Sequence, residues 1–267
     1  MQTVKLNTGG VLPAIGYGTW QLDEGDQAYN AVSEALHAGY RLVDTAKMYG
    51  NEVSVGKAIQ ASGIAREDIF VTTKLWTSDQ GYDRGLRAFE ESLANLGMEY
   101  VDLYVIHWPG DDLGRRSESW RALIDIQASE RAKAIGVCNY NIEQLKEVLS
   151  SSTPPAVNQI EFHPFRYGQQ KPLLDFCKQH GIVVEAYSPL AQSKRMDDPV
   201  ITKVAERVQR TPAQVLLRWG IQHGAVPIPK SSHRNWIQEN IKVFDFELSD
   251  ADMASLNSLS DAGSLLH

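Results

Sequence analysis

Apolar and polar positions along the chain follow two periods in turn. RLVDT, DIFVTTKLW, VDLYVIHWP, AKAIGVCN, AVNQIEFHP, IVVEAYSPL and AVPIPKS are short β-rich runs. Between them NEVSVGKAIQASG, YDRGLRAFEESLANLG, NIEQLKEVLSSS, KPLLDFCKQHG and TPAQVLLRWGIQHG carry the helical period. VDLYVI and IVVEAY are apolar on both alternating faces, as strands covered on both sides are. The opening VKLNTGGVLPAIG places Asn7-Thr8-Gly9-Gly10 between two apolar stretches, the chemistry of a hairpin turn. From Ile15 to Ile228 the pattern gives about eight strands, each followed by a helix, with no linker between them. It predicts an α/β chain closed into a (β/α)8 TIM barrel with an N-terminal β-hairpin, a single domain over residues 1–267. An open doubly wound sheet shares the alternation, and periodicity does not show closure. Asp68, Ser117, Asn141 and Thr211 read as helix caps, Thr211 with Pro212 at the first helical position. The last helical stretch ends near Leu259 and leaves a short tail.

Composition is that of an ordinary globular chain, and charge narrows the partners. The net charge of −7, with no basic tract, argues against nucleic acid. Two cysteines, Cys138 and Cys177, are too few for a disulfide framework or a thiolate metal site and fit a reducing compartment. The start MQTVKLNTGG has no leader pattern, and no apolar run approaches about 18 residues. The expectation is a cytoplasmic protein that engages no membrane.

In such a barrel the C-terminal rim carries the chemistry. The expected strand ends are Asp44 with Tyr49 beyond it, Lys74, His107, Cys138 with Asn139, Gln159, Tyr187 and Lys230. An Asp, a Tyr, a Lys and a His would converge on one mouth, and four protonatable groups of different type suit proton donation to a carbonyl. A tyrosine is protonated at neutral pH, and a neighbouring ammonium such as Lys74 stabilises its phenolate. Such an acid accounts for about 10²–10⁴-fold, so a hydride source is also needed. Gly16-Tyr17-Gly18 begins like a dinucleotide fingerprint, but Gln21 stands at its third glycine and no acidic residue follows at the expected distance. PIPKSSHR is the better anion site, a strand entering a helix with Lys230, His233 and Arg234 nearby.

GYRLVDTAKMYGNE, TTKLW, VDLYVIHWP, AIGVCNYN, NQIEFHP, AYSPL and IPKS occur in order, and with them nearly the whole chain resembles the aldo-keto reductases. The resemblance is nearest to prokaryotic members related to 2,5-diketo-D-gluconate reductases. It implies an NADPH-dependent oxidoreductase that reduces aldehydes and ketones to alcohols, with a tetrad of Asp44, Tyr49, Lys74 and His107 and Tyr49 as the general acid. It assigns Asn139 and Gln159 to the nicotinamide carboxamide, with Cys138 beside them where the family commonly has Ser. Tyr187 would stack on the nicotinamide, while Ser188 and Leu190 would follow the pyrophosphate. Lys230 and Ser231 would contact the 2′-phosphate and Glu239 and Asn240 the adenine, with Ser232, His233, Arg234 and Trp236 as further cofactor-binding residues. Trp20, Trp76 and Trp108 would line the pocket for a small carbonyl substrate.

Several positions depart from that pattern. Family members usually carry an Arg six residues after the motif lysine, where this chain has Trp236, which predicts a weakened preference for NADPH over NADH. Arg234 lies two residues earlier and, at about 100° per residue, takes that role only if the helix begins late. Gln192 and Lys194 replace the small and acidic residues that often close a loop over the cofactor. The short tail suggests an open, permissive pocket, and the chain is expected to be a monomer with no bound metal. Two other classes remain open: a metal-dependent barrel hydrolase, for which only His107 and His163 lie near strand ends, and a non-catalytic cofactor-binding protein.

Overall fold

A computed structural model describes residues 2–260, so the tail after Ser260 lies outside the described residues. The hairpin pairs β1 (Thr3–Lys5) with β2 (Val11–Pro13), antiparallel, across a turn in which Gly9 takes a positive φ of 88°. Eight parallel strands follow: β3 (Tyr17–Gly18), β4 (Leu42–Asp44), β5 (Phe70–Leu75), β6 (Val101–Ile106), β7 (Ala132–Cys138), β8 (Val157–Glu161), β9 (Val183–Tyr187) and β10 (Val226–Pro227). Each pairs with the next in chain order. The ring closes because the Gly16 and Gly18 N–H groups donate to the Pro227 and Pro229 carbonyls at 2.9 and 3.0 Å.

That seam explains the two glycines that begin like a nucleotide fingerprint. A Cβ on Gly16 would stand 2.6 Å from the Leu42 side chain and 2.8 Å from that of Ile228, while one on Gly18 would meet the Ile228 carbonyl at 3.0 Å. The outer layer is α1 (Asp26–Ala38), α2 (Glu52–Ala61), α3 (Tyr82–Leu96), α4 (Leu113–Ala128), α5 (Ile142–Leu149) and α6 (Tyr167–Gln179). It continues with α7 (Pro199–Val208), α8 (Pro212–Gln222), α9 (Arg234–Asn240) and α10 (Asp250–Asn257).

The strand period of two sorts residues into two cores. Val43, Val71, Tyr104, Ile106, Ile135, Val137, Val184 and Ala186 pack outward against the helices. Leu42, Leu103, Val105, Ala134, Val157, Val183 and Val226 fill the barrel together with Leu6 and Leu12 of the hairpin. Above this apolar plug the inward positions turn polar.

Helix starts follow side-chain capping. Asn141 and Thr211 each form a full capping box with the glutamine three residues on. Ser117 instead lies inside α4, whose cap is Asp112, and Asp68 ends a single 3₁₀ turn before β5. Gln159 sits in the middle of β8 rather than at its end, and Lys230 lies three residues beyond β10.

Candidate active site

A cleft of about 740 Å³ opens at the C-terminal ends of the strands, within the size range of small-molecule sites. Asp44, Lys74, Cys138, Gln159, Glu185 and Tyr187 alternate with outward apolar residues on their strands, so they share the inner face. The deepest feature is Lys74, with no exposed surface. Its three N–H donors reach Asp44 Oδ1 at 2.6 Å, the Thr45 carbonyl at 2.8 Å and Tyr49 Oη at 3.2 Å. Burial alone would neutralise the amine, but Asp44 opposes it, and the Lys74 pKa lies above its ordinary value.

Tyr49 sits on a 3₁₀ turn (Lys47–Tyr49) and faces the cleft. Burial pushes its pKa up to about 12, while Lys74 pulls the other way. Tyr49 therefore holds its proton throughout the neutral range. Because its oxygen accepts from Lys74, its own O–H is left to donate into the cleft. That turn is pinned from outside by Lys47, which reaches Asp79 at 2.9 Å and Glu91 at 2.5 Å. From inside it is held by the buried Asn51, which donates to the Thr19 and Leu22 carbonyls and accepts from Thr45.

His107, next to the end of β6, lines the cleft beside Tyr49, with ring centroids 5.6 Å apart, and beside Trp76 at 5.1 Å. Burial, aided by the Lys74 charge, lowers its pKa to about 3, so the imidazole is neutral at any ordinary pH. Its Nδ1 is buried without a partner.

Asn139 takes a left-handed φ of 61°, a conformation Asn tolerates better than most residues. Its side chain donates to the His107 carbonyl at 3.2 Å and accepts from the Tyr187 hydroxyl at 2.8 Å. Gln159 Nε2 donates to Asp44 Oδ2 at 2.8 Å and to Glu185 Oε2 at 3.0 Å. With both amide N–H groups on carboxylates, the Gln159 carbonyl is left for the cleft. Cys138 is buried beside Gln159 in the strand register, and burial keeps its thiol protonated.

The other expected residues separate into two groups. Trp20, Trp76 and Trp108 line the cleft together with Ser188, Leu190, Gln192 and Lys230. Cys138, Ser231, Ser232, His233, Arg234, Trp236, Glu239 and Asn240 lie outside the cleft lining. Ser231 is buried, its carbonyl taking the Tyr17 hydroxyl at 2.5 Å and its Oγ receiving the His233 N–H at 3.0 Å. Ser232, His233 and Trp236 are exposed, with His233 and Trp236 ring centroids 4.3 Å apart. α9 begins at Arg234 itself, and that side chain turns to Glu34 of α1 at 3.1 Å. Glu239 accepts from Thr211 at 2.7 Å, and the buried Asn240 has an unpartnered Oδ1.

Glu185 was not among the expected site residues. Its signal in the sequence was a lone acidic residue inside IVVEAY, two positions before Tyr187 and so on the same face. Among the described residues no group of three or more His, Cys, Asp or Glu is placed to hold a metal ion, and no helix is long and apolar enough to cross a membrane.

A model of the Aldo/keto reductase family matches residues 14–261. The chain is 46% identical to a glyoxal reductase of Bacillus subtilis over 97% of its own length and 92% of the relative's. It is 47% identical to a morphine 6-dehydrogenase of Pseudomonas putida over 96% and 90%. Among solved structures, an aldo/keto reductase from Brucella melitensis superposes with a TM-score of 0.93 at 48% identity, covering 97% and 99% of the two chains. A Bombyx mori aldo-keto reductase in complex with NADP gives 0.94 at 36%, covering 100% and 95%.

Proposed function

The chain belongs to the aldo/keto reductase family and is an NADP(H)-dependent carbonyl reductase, and we propose that Tyr49 is its proton donor, served by Asp44, Lys74 and His107. The observation that carries this reading is the hydrogen bond from Lys74 Nζ to Tyr49 Oη at the floor of the cleft. A residue that accepts there keeps its own proton for a carbonyl oxygen, and the ammonium stabilises the phenolate formed as the proton leaves. Asp44 keeps Lys74 charged and in place. The neutral His107 on the same wall orients the carbonyl without adding a second charge.

The residues present fit a dinucleotide. Asn139 and the free carbonyl of Gln159 match a carboxamide, Tyr187 offers an aromatic face, and Asn240 Oδ1 is a buried acceptor in want of a donor. When bound, the reduced nicotinamide supplies the hydride. Ser188 and Leu190 are assigned to the pyrophosphate, Lys230 and Ser231 to the 2′-phosphate with Ser232 and His233 beside them, and Glu239 and Asn240 to the adenine. Trp236 offers a ring but no charge, and Arg234 is occupied by Glu34, so we infer a modest NADPH preference and some use of NADH. Dissociation constants for both cofactors test this, and a preference of several hundredfold for NADPH would overturn it.

Trp20, Trp76 and Trp108 support small apolar or aromatic carbonyl compounds as substrates, and the glyoxal reductase relative adds small dicarbonyls. Two buried free thiols support a reducing, cytoplasmic setting. Three of the exposed large apolar side chains, Trp20, Met48 and Trp108, line the cleft rather than forming a separate patch, which supports a monomer. One sheet drawing strands from residues 17 to 227 supports a single domain over 1–267. The deciding experiment is NADPH and NADH consumption against aldehydes, α-dicarbonyls and keto sugars, with Tyr49→Phe beside the wild type. The variant is expected to bind NADPH normally and lose about 10²–10⁴-fold in turnover. Undiminished turnover would remove Tyr49 from the role.

A further inference from the structure

Beneath the cleft two carboxylates share one amide. Glu185 lies opposite Gln159 in the β8–β9 register, has no exposed surface, and takes one Gln159 N–H on Oε2 at 3.0 Å. Asp44 takes the other at 2.8 Å. Only one ammonium is at hand, that of Lys74, and its hydrogen bonds go to Asp44, Thr45 and Tyr49. Glu185 Oε1 has no hydrogen-bond partner at all.

The groups facing Glu185 are Asp44 from β4, Lys74 from β5, the thiol of Cys138 from β7 and the Gln159 amide from β8, while β10 presents the apolar Val226. Two ionised carboxylates in that setting would leave one buried negative charge uncompensated. Asp44 is in direct contact with Lys74, which compensates it, while Glu185 is not. Glu185 is the group that takes up a proton, and burial together with the Asp44 charge raises its pKa to about 8.

We propose that Glu185 is a positioning residue beneath the nicotinamide site whose proton is linked to cofactor charge: protonated under the neutral reduced ring, ionised under the cationic oxidised one. This rests on Gln159 facing the nicotinamide, as proposed above. The proton passes to bulk water on binding, and nothing is oxidised or reduced in that exchange. Ionised Glu185 adds attraction for the oxidised ring alone, so rising pH favours NADP⁺ over NADPH. If the bound cation lowers this carboxyl's pKa by one unit, the ratio of the NADP⁺ to the NADPH dissociation constant falls about tenfold between pH 6 and pH 9.

The test is to measure both dissociation constants from pH 6 to pH 9 in the wild type and in Glu185→Gln. The 2′-phosphate is common to both cofactors, so its titration cancels in the ratio, and Tyr49, with its pKa pushed up to about 12, keeps its proton across this range. The expected result is a falling ratio in the wild type and a flat one in the variant, with NADPH binding at pH 6 unchanged within about threefold. A flat wild-type ratio, or a slope that survives in Glu185→Gln, overturns the inference. Should the variant not fold, infrared difference spectra of the wild type decide. A protonated-carboxyl band lost on adding NADP⁺ but kept with NADPH supports the assignment, and its persistence with both refutes it. Failure of either cofactor to bind would instead overturn the dinucleotide reading of the cleft, and this inference with it.

Discussion

Lys74 is a fully buried ammonium whose three donors are all used, and its cost in the barrel is offset by the Asp44 carboxylate at 2.6 Å. Breaking a buried ion pair from one side leaves the other charge stranded, typically at about 3–5 kcal/mol. Asp44→Asn and Lys74→Met are therefore each expected to lower stability by about that amount in urea titrations. His107 gives a pH signature of its own. Its pKa falls from about 6.5 when unfolded to about 3 when folded. Between those values the unfolded chain binds the extra proton, so stability falls as pH is lowered, by up to about 1.4 kcal/mol per pH unit. Urea midpoints measured from pH 7 to pH 4 are expected to show that slope and to lose it in His107→Asn. The convergence of Asp44, Tyr49, Lys74 and His107 on one cleft was legible in the sequence because each stands at or next to a strand end or in the turn beyond. Glu185 was not, because a charge inside an apolar strand shows its meaning only when the neighbouring strand supplies Gln159.

Elements place those residues to different degrees of predictability. Asn141 and Thr211 could be read as caps because the capping-box glutamine follows at a fixed local spacing. Ser117 looked equivalent, but Asp112, five residues earlier, holds the Arg115 N–H at 3.0 Å and starts α4 sooner. The turn bearing Tyr49 depends on a longer reach. Asn51 spans from the β4–α2 loop to Thr19 and Leu22 in the β3–α1 loop, through donors at 2.9 Å each. No local pattern announces this, since both acceptors are backbone carbonyls about thirty residues away. Asn51→Ala strands the buried Leu22 carbonyl and the Thr45 hydroxyl, at about 1–3 kcal/mol for each group left unsatisfied, while the Thr19 carbonyl keeps the Leu22 N–H. It is expected to lower the urea midpoint and also to reduce turnover more than NADPH affinity, because Tyr49 and Trp20 flank the joint. Equal losses in both would place the joint elsewhere in the cycle.

At the scale of the molecule, the count of strands was legible and their closure was not. Eight alternations follow from period and turn chemistry, but an open sheet has the same pattern. The difference lies in hydrogen bonds between the first and last parallel strands, some 210 residues apart at Gly16 and Pro227. GYG carried the relevant signal in a misleading form: its glycines admit the approach of β10 rather than of a pyrophosphate. This makes the seam testable apart from the chemistry. A methyl at Gly16 would meet the Leu42 and Ile228 side chains at 2.6 and 2.8 Å, inside the plug that fills the barrel. Overpacking of this kind costs about 1–3 kcal/mol. Gly16→Ala is expected to lose that much in urea unfolding, while Gly9→Ala, in the hairpin turn with nothing within 4 Å, is strained only by its positive φ. The Gly16 substitution also acts where β3 and β10 meet, and β10 leads through Pro229 to Lys230 in the cleft wall. NADPH affinity should therefore fall with Gly16→Ala and not with Gly9→Ala. Equal effects of the two on cofactor binding would mean that the seam does not hold the cofactor wall in place.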